Sequence, residues 1–245
     1  MQSMKKIILL SFHIGILLSV IASNEKAFSQ GYKTVELRGF NSDIVVNGET
    51  KDPQSTITST PYFGADNVGG VFMADDFNYM GYKPAYFFPA DRIVNSTFFP
   101  GLVYKLAPYN ANNSLTLHNS QGTLEFVTPI AADTFYVLAT SGSGESYITY
   151  SVRFTDDSTM SGVAFNDTIP DWYVPTHNQS FESVIGSRFV IKQDNVKNLF
   201  QVRYTAPGLY CYLYPVGSPK KIKSLTATAQ GDGYCNILAV SIKPL

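Results

Sequence analysis

The chain has 245 residues, only 15% of them charged, and its 18 Lys and Arg against 19 Asp and Glu give a net charge of −1. That balance excludes the concentrated basic face that nucleic acid or an anionic membrane surface calls for. With 16 Tyr and 17 Phe but a single Trp, there is apolar area enough for a core, and a surface built from hydroxyls, amides and tyrosines rather than ions.

Residues 1–29 read as a secretory signal peptide. Lys5 and Lys6 form a positive start and Ile7 to Ala22 an apolar run. Ala27-Phe28-Ser29 then puts small residues at the two positions a signal peptidase reads, so cleavage is expected before Gln30. The run is short for a bilayer and is broken by His13, Gly15 and Ser19, and no later segment is long and apolar enough to span one. Removing residues 1–29 takes away three of the 18 cations and one of the 19 anions, leaving a net charge of −3. The expectation is an exported protein, secreted, periplasmic or at the cell surface, with no membrane insertion after cleavage. Residues 30–245 are expected to form one domain, because no linker, charge block or internal repeat marks a second.

From Gln30 onward the signals are those of short strands. Thr34 to Leu37 and Ile44 to Val46 read as strands, and Glu49 to Thr60 as a polar loop. Val71 to Ala74 is a further short strand, followed by the aromatic, proline-broken stretch Asp75 to Pro89. Arg92–Phe98, Leu102–Leu106, Ser114–His118 and Thr123–Val127 follow at even spacing, separated by Gly, Pro and Asn. Phe135 to Ala139 is apolar throughout, as in a strand buried on both faces. In the strand after the Gly/Ser turn, Ile148, Tyr150, Val152 and Phe154 alternate with Thr149, Ser151 and Arg153, the period of a half-buried strand. Arg188–Ile191, Asn198–Tyr204, Leu209–Tyr214, Lys221–Ala229 and Tyr234–Ile242 complete the set, with Gln230 to Gly233 as a hairpin turn. No window carries a sustained helical period, so the fold class is all-β, a single β-sandwich of jelly-roll type with no substantial helix outside the signal peptide.

The order of an apolar strand, Thr140-Ser-Gly-Ser-Gly144, a strand ending Phe154-Thr-Asp156, Asp171-Trp-Tyr173, Gly186-Ser-Arg188, the Leu209–Val216 tyrosine run, Lys220–Thr226 and Asn236–Ser241 resembles the galactose-binding-like jelly-roll modules of secreted bacterial proteins. Many such modules accompany glycoside-degrading enzymes. The opening Val35–Val45 is similar to that of small stand-alone exported proteins of Bacteroidetes. The resemblance implies a carbohydrate-binding, β-sandwich module. One departure is Asp157, where the usual turn reads Asp-Gly and a left-handed corner suits Gly better.

The chain offers few catalytic candidates. After the signal the histidines are His118, at a strand end, and His177, in a loop; no nucleophile elbow, phosphate loop, HExxH or CxxC is present. Asp156, Asp157, Asp167 and Asp171 cluster in sequence. They read as turn caps, as an oxygen-rich site for a structural calcium ion centred on Asp156 and Asp157, or, with His177, as the carboxylate pair of a glycoside hydrolase. Sugar binding needs less: an aromatic face to stack on a pyranose, with amides and carboxylates for its hydroxyls. Trp172 and Tyr173, with Asp171, His177 and Asn178, have that make-up, while the alternative for the sole Trp is a core plug. Cys211 and Cys235 lie on strands and are either a disulfide, if those strands are neighbours, or two small buried apolar residues. The functional expectation is an exported, non-catalytic module for a glycan or cell-surface ligand, needing no cofactor beyond such a calcium ion. A structural or adhesive protein that binds a protein partner is the alternative, and the hydrolase a third.

Overall fold

The structure is a computed structural model and describes residues 31–50, 70–79, 81, 87–96, 99–161, 167–172, 181–182, 188–190, 201–203 and 209–245. The expected signal peptide lies outside these residues, as do Tyr173, His177 and Asn178. The strands in chain order are β1 (Lys33–Thr34), β2 (Leu37–Arg38), β3 (Val45–Val46), β4 (Glu49–Thr50), β5 (Gly70–Met73), β6 (Asn78–Tyr79), β7 (Ile93–Asn95), β8 (Val103–Lys105) and β9 (Leu115–Leu117). They continue with β10 (Gln121–Gly142), β11 (Ser146–Phe154), β12 (Thr159–Ser161), β13 (Asp167–Ile169), β14 (Phe181–Glu182), β15 (Arg188–Val190), β16 (Gln201–Arg203), β17 (Leu209–Gln230) and β18 (Tyr234–Pro244). The all-β expectation is borne out, and no helix occurs among the described residues.

Two strands of 22 residues each, β10 and β17, pair antiparallel and dominate the fold. Their ladder is interrupted by register shifts between Glu125 and Thr134, opposite Pro215 to Ser224. Pro129, Pro215, Gly217 and Pro219 fall in this section, where a missing N–H or an unpaired residue is tolerated and a bulge can bend the ribbon. In sequence the same residues look like loop signals, so each long strand is expected as two shorter ones, and the structure joins them.

On one side of the bulges β10 pairs with β17 from Gln121 to Glu125, β11 adds to β17, and β2 adds to β10. On the other side β10 pairs with β17 from Thr134 to Ala139, and β18 runs along its free edge from Ala132 to Gly142. The two halves face each other. Tyr150 of β11 meets Phe135 of β10 edge-on, with centroids 6.0 Å apart, and meets Tyr214 of β17 at 4.7 Å. Ile148, Val152, Leu225 and Ala227 from one half share a single buried cluster with Val137, Ile237, Val240 and Ile242 from the other. This is the expected β-sandwich, made by long strands that cross from one layer to the other.

The second layer is covered on its back as well. Phe135, Val137 and Ala139 face the inner cluster, whereas Tyr136 and Leu138 join a second cluster with Val45, Phe72, Val94, Tyr104, Leu238 and Ala239. Those residues come from the sheet β16-β15-β5-β3, the β7–β8 hairpin and β18. Burial on both faces accounts for the unbroken apolar run at Phe135–Ala139.

Candidate functional site

The corner expected to bind sugar is structural. Trp172 is 1% exposed and packs edge-on against Phe72, 5.0 Å between centroids, within the second cluster. Its backbone N–H donates to the Ser141 carbonyl at 2.7 Å, and an Asp171 carboxylate oxygen accepts the Gly144 N–H at 2.7 Å. Asp171 and Trp172 therefore clip the β10–β11 turn to the rest of the molecule, and the platform expectation for Trp172 is corrected to its core alternative. An indole wholly enclosed by Phe72 and its neighbours has no free face for a pyranose.

Asp156 and Asp157 sit at the exposed β11–β12 turn. Lys220 Nζ lies 2.8 Å from an Asp156 carboxylate oxygen, while Lys223 Nζ at 3.2 Å and Arg153 at 3.0 Å reach Asp157. Asp156 also accepts from the Ser158 hydroxyl and amide. The hydrogen bond from Lys220, then those from Ser158, hold its carboxyl at about 2. The hydrogen bond and charge of Lys223, followed by the charge of Arg153, likewise hold Asp157 low. Three cations around two carboxylates repel a metal ion, so these residues do not fit the calcium expected of them. Among the described residues no group of three or more His, Cys, Asp or Glu could hold a metal ion.

Distance keeps Asp156 and Asp157 from pairing with Asp171 as the hydrolase alternative would need; the Asp167 side chain and His177 lie outside what the structure describes. Asp156 and Asp157 follow the last residue of β11, while Asp171 lies against the turn before its first, and nine residues of strand separate them by about 25 Å. A glycosidase pair works at roughly 5–10 Å.

Nor are the two cysteines bonded, since Cys235 is free and buried. Cys235 pairs with Ser141 on one edge of β10 and Cys211 with Leu138 on the other, so the two strands flank β10 and are not neighbours. Two strand spacings, roughly 10 Å, exceed the Cα separation a disulfide spans. Burial pushes the Cys235 thiol far above its ordinary range.

A cleft that the sequence did not announce lies elsewhere. Its volume is about 660 Å³, and it is lined by Thr34 to Leu37, Phe40, Arg92, Ile93 and Lys105 to Pro108. One wall is the segment that leaves β18 and crosses to β10. Thr34 pairs with Ser241, Val35 N–H donates to the Val240 carbonyl, and Leu37 pairs with Phe126. Gly39 then turns the chain at φ 101°, where an added Cβ would collide with the Thr123 carbonyl oxygen. The other wall is the β7–β8 hairpin, tied to β18 by the Ser241 hydroxyl donating to the Val103 carbonyl at 2.5 Å. The cleft thus opens where the two hydrophobic clusters reach solvent, with Val35, Leu37 and Phe40 from the inner cluster and Leu106 from the second.

Its cations belong to the hairpin. Arg92 is held at φ 62° by two backbone bonds, its N–H to the Pro89 carbonyl and its carbonyl from the Leu106 N–H, both 2.9 Å. Tyr109 braces the same corner through its hydroxyl to the Pro89 carbonyl at 2.9 Å, and burial, then the charge of Asp75, pushes its phenol well up. The Arg92 guanidinium reaches the Leu106 carbonyl at 3.4 Å, and Lys105 Nζ donates to the Asp91 carbonyl at 2.8 Å. The expected strand Arg92–Phe98 begins instead at Ile93, with Arg92 in the corner before it. The signal for something else was the Pro89-Ala-Asp-Arg92 turn before it.

A third feature is an aromatic pair at the turns: His118 stacks on Tyr234 with centroids 4.4 Å apart, and Tyr147, half-exposed, packs near Gly231. No known family model matches the sequence, and no curated protein does. Among solved structures the chain is similar to the carbohydrate recognition domain of Emp46p in its potassium-bound form, at 10% identity over 56% of this chain and 85% of that one, TM-score 0.25. It is also similar to the VIP36 exoplasmic/lumenal domain bound to Ca2+ and Man3GlcNAc, at 9% identity over 55% and 79%, TM-score 0.24. A legume lectin-like domain from Entamoeba histolytica matches at 4% identity over 54% and 85%, TM-score 0.24. Scores this low say nothing about what this chain binds.

Proposed function

We propose that this protein is an exported, single-domain, non-catalytic module that holds a carbohydrate in the cleft between Thr34–Phe40 and Arg92–Pro108. The observation that carries the reading is the cleft itself. Its volume of about 660 Å³ falls within the roughly 300–1,000 Å³ of small-molecule sites. Leu37, Phe40, Ile93 and Pro108 offer apolar surface for one face of a sugar ring, while Thr34, Glu36, Arg92 and Lys105 offer donors and acceptors for its hydroxyls. The likeness of the sequence to galactose-binding-like modules supports the same reading, as does the N-terminal segment that reads as an export signal.

The test is a glycan-array screen of the purified protein beside Ala107→Trp, which fills the cleft from its wall. The proposal expects glycan binding by the wild type and none by a variant with an unchanged unfolding transition. Binding that survives Ala107→Trp, or no binding by the wild type to any glycan, would sink it.

A further inference from the structure

We propose that the cleft selects an acidic saccharide, with Arg92 and Lys105 receiving its carboxylate; this rests on the reading of the cleft as a carbohydrate site. Two cations line the cleft against one carboxylate, that of Glu36, in a chain whose net charge is −1. Among the described residues no carboxylate pairs with either cation. The acids at the exposed β11–β12 turn are taken by Lys220, Lys223 and Arg153, and Asp91, next to Arg92, turns its carboxylate to the Ile93 N–H at 2.9 Å. Of the five donors on the Arg92 guanidinium, one makes a long contact of 3.4 Å to a carbonyl. Planar donors left over at the lip of a half-apolar cleft match the two oxygens of a carboxylate, and Lys105 adds a second charge from the facing strand.

Arg92 occupies the left-handed region at φ 62°, where a residue with a long side chain is disfavoured, and bonds to Pro89 and Leu106 hold it there. A glycine would satisfy that corner without strain, so the backbone there does not itself call for an arginine. A pyranose carboxylate placed on Arg92 and Lys105 leaves Glu36 to accept from ring hydroxyls and Phe40 and Leu37 to meet the ring's apolar face.

The experiment is calorimetric titration of the purified protein with digalacturonate, diglucuronate and dimannuronate, each beside its neutral methyl ester, at low and moderate salt. At least one acid is expected to bind about tenfold or more tightly than its ester, with the preference shrinking as salt rises. Arg92→Gly suits the backbone at that corner, so it is expected to keep the unfolding midpoint while weakening the acid far more than the ester and so abolishing the preference; Lys105→Gln is expected to reduce the preference. Equal binding of acid and ester, or a preference that survives Arg92→Gly, overturns the inference and leaves the carbohydrate reading standing. If no acid in the panel binds while the array returns neutral glycans, the inference alone falls. Silence in both assays removes both.

Discussion

At the scale of single residues, the structure assigns structural work to side chains that the sequence offered for binding. Trp172→Ala empties a fully enclosed site next to Phe72, and a loss of about 3–5 kcal/mol is expected in urea unfolding. Trp172→Phe should cost clearly less, and a silent Trp172→Ala would contradict the core assignment. Whether Trp172 was platform or plug was not legible, because its neighbours in sequence are polar and its partner Phe72 arrives from a distant strand. The corner at Asp157 was legible: the oddity of Asp where Gly is usual corresponds to φ 63° there. Asp156 supplies a pH test. Its carboxyl lies at about 2, below the ordinary 3.8, so its contribution to stability is present above the ordinary value and is lost as pH falls through about 2. A carboxyl NMR titration should find that low midpoint, and Lys220→Met should raise it.

At the scale of elements, the β10–β17 ribbon was legible in its halves and not in its continuity. Alternation and apolar runs mark Thr123–Val127, Phe135–Ala139, Leu209–Tyr214 and Lys221–Ala229, and every one of them lies within a strand. The joins were hidden because Pro129, Pro215 and Pro219 signal a break in an isolated stretch, whereas here they occupy bulges that bend the ladder between layers. The crossing segment is just as sensitive at Gly39, where φ is 101° and the Thr123 carbonyl leaves no room for a methyl group. Gly39→Ala should therefore destabilise by more than about 1 kcal/mol in chemical denaturation. On the opposite wall, Tyr109→Phe removes the bond to the Pro89 carbonyl. It should cost about 1 kcal/mol, and its signature would be weaker ligand binding through a loosened Arg92 corner.

At the scale of the whole molecule, the protein is a bent-ribbon sandwich whose second layer is sealed from behind by a small sheet and a hairpin. Cys235, enclosed in the inner cluster, reports on that closure: peptide mapping after brief thiol labelling should find it unmodified in the native protein and modified in denaturant. Local patterning was enough to read the class of fold, since alternation and turn spacing are properties of short stretches. The cleft was not legible, because it is assembled from the β1–β2 crossing, the Pro89–Arg92 corner and the end of β8, which meet only when β18 brings them together. Everything proposed for this protein turns on the cleft being where it binds. The most direct test is the change in backbone amide NMR signals on titrating a saccharide returned by the array. Shifts are expected to concentrate at Thr34–Phe40, Arg92–Ile93 and Lys105–Ala107. Shifts gathered instead around Tyr147 and Tyr234, with those amides unmoved, would contradict it.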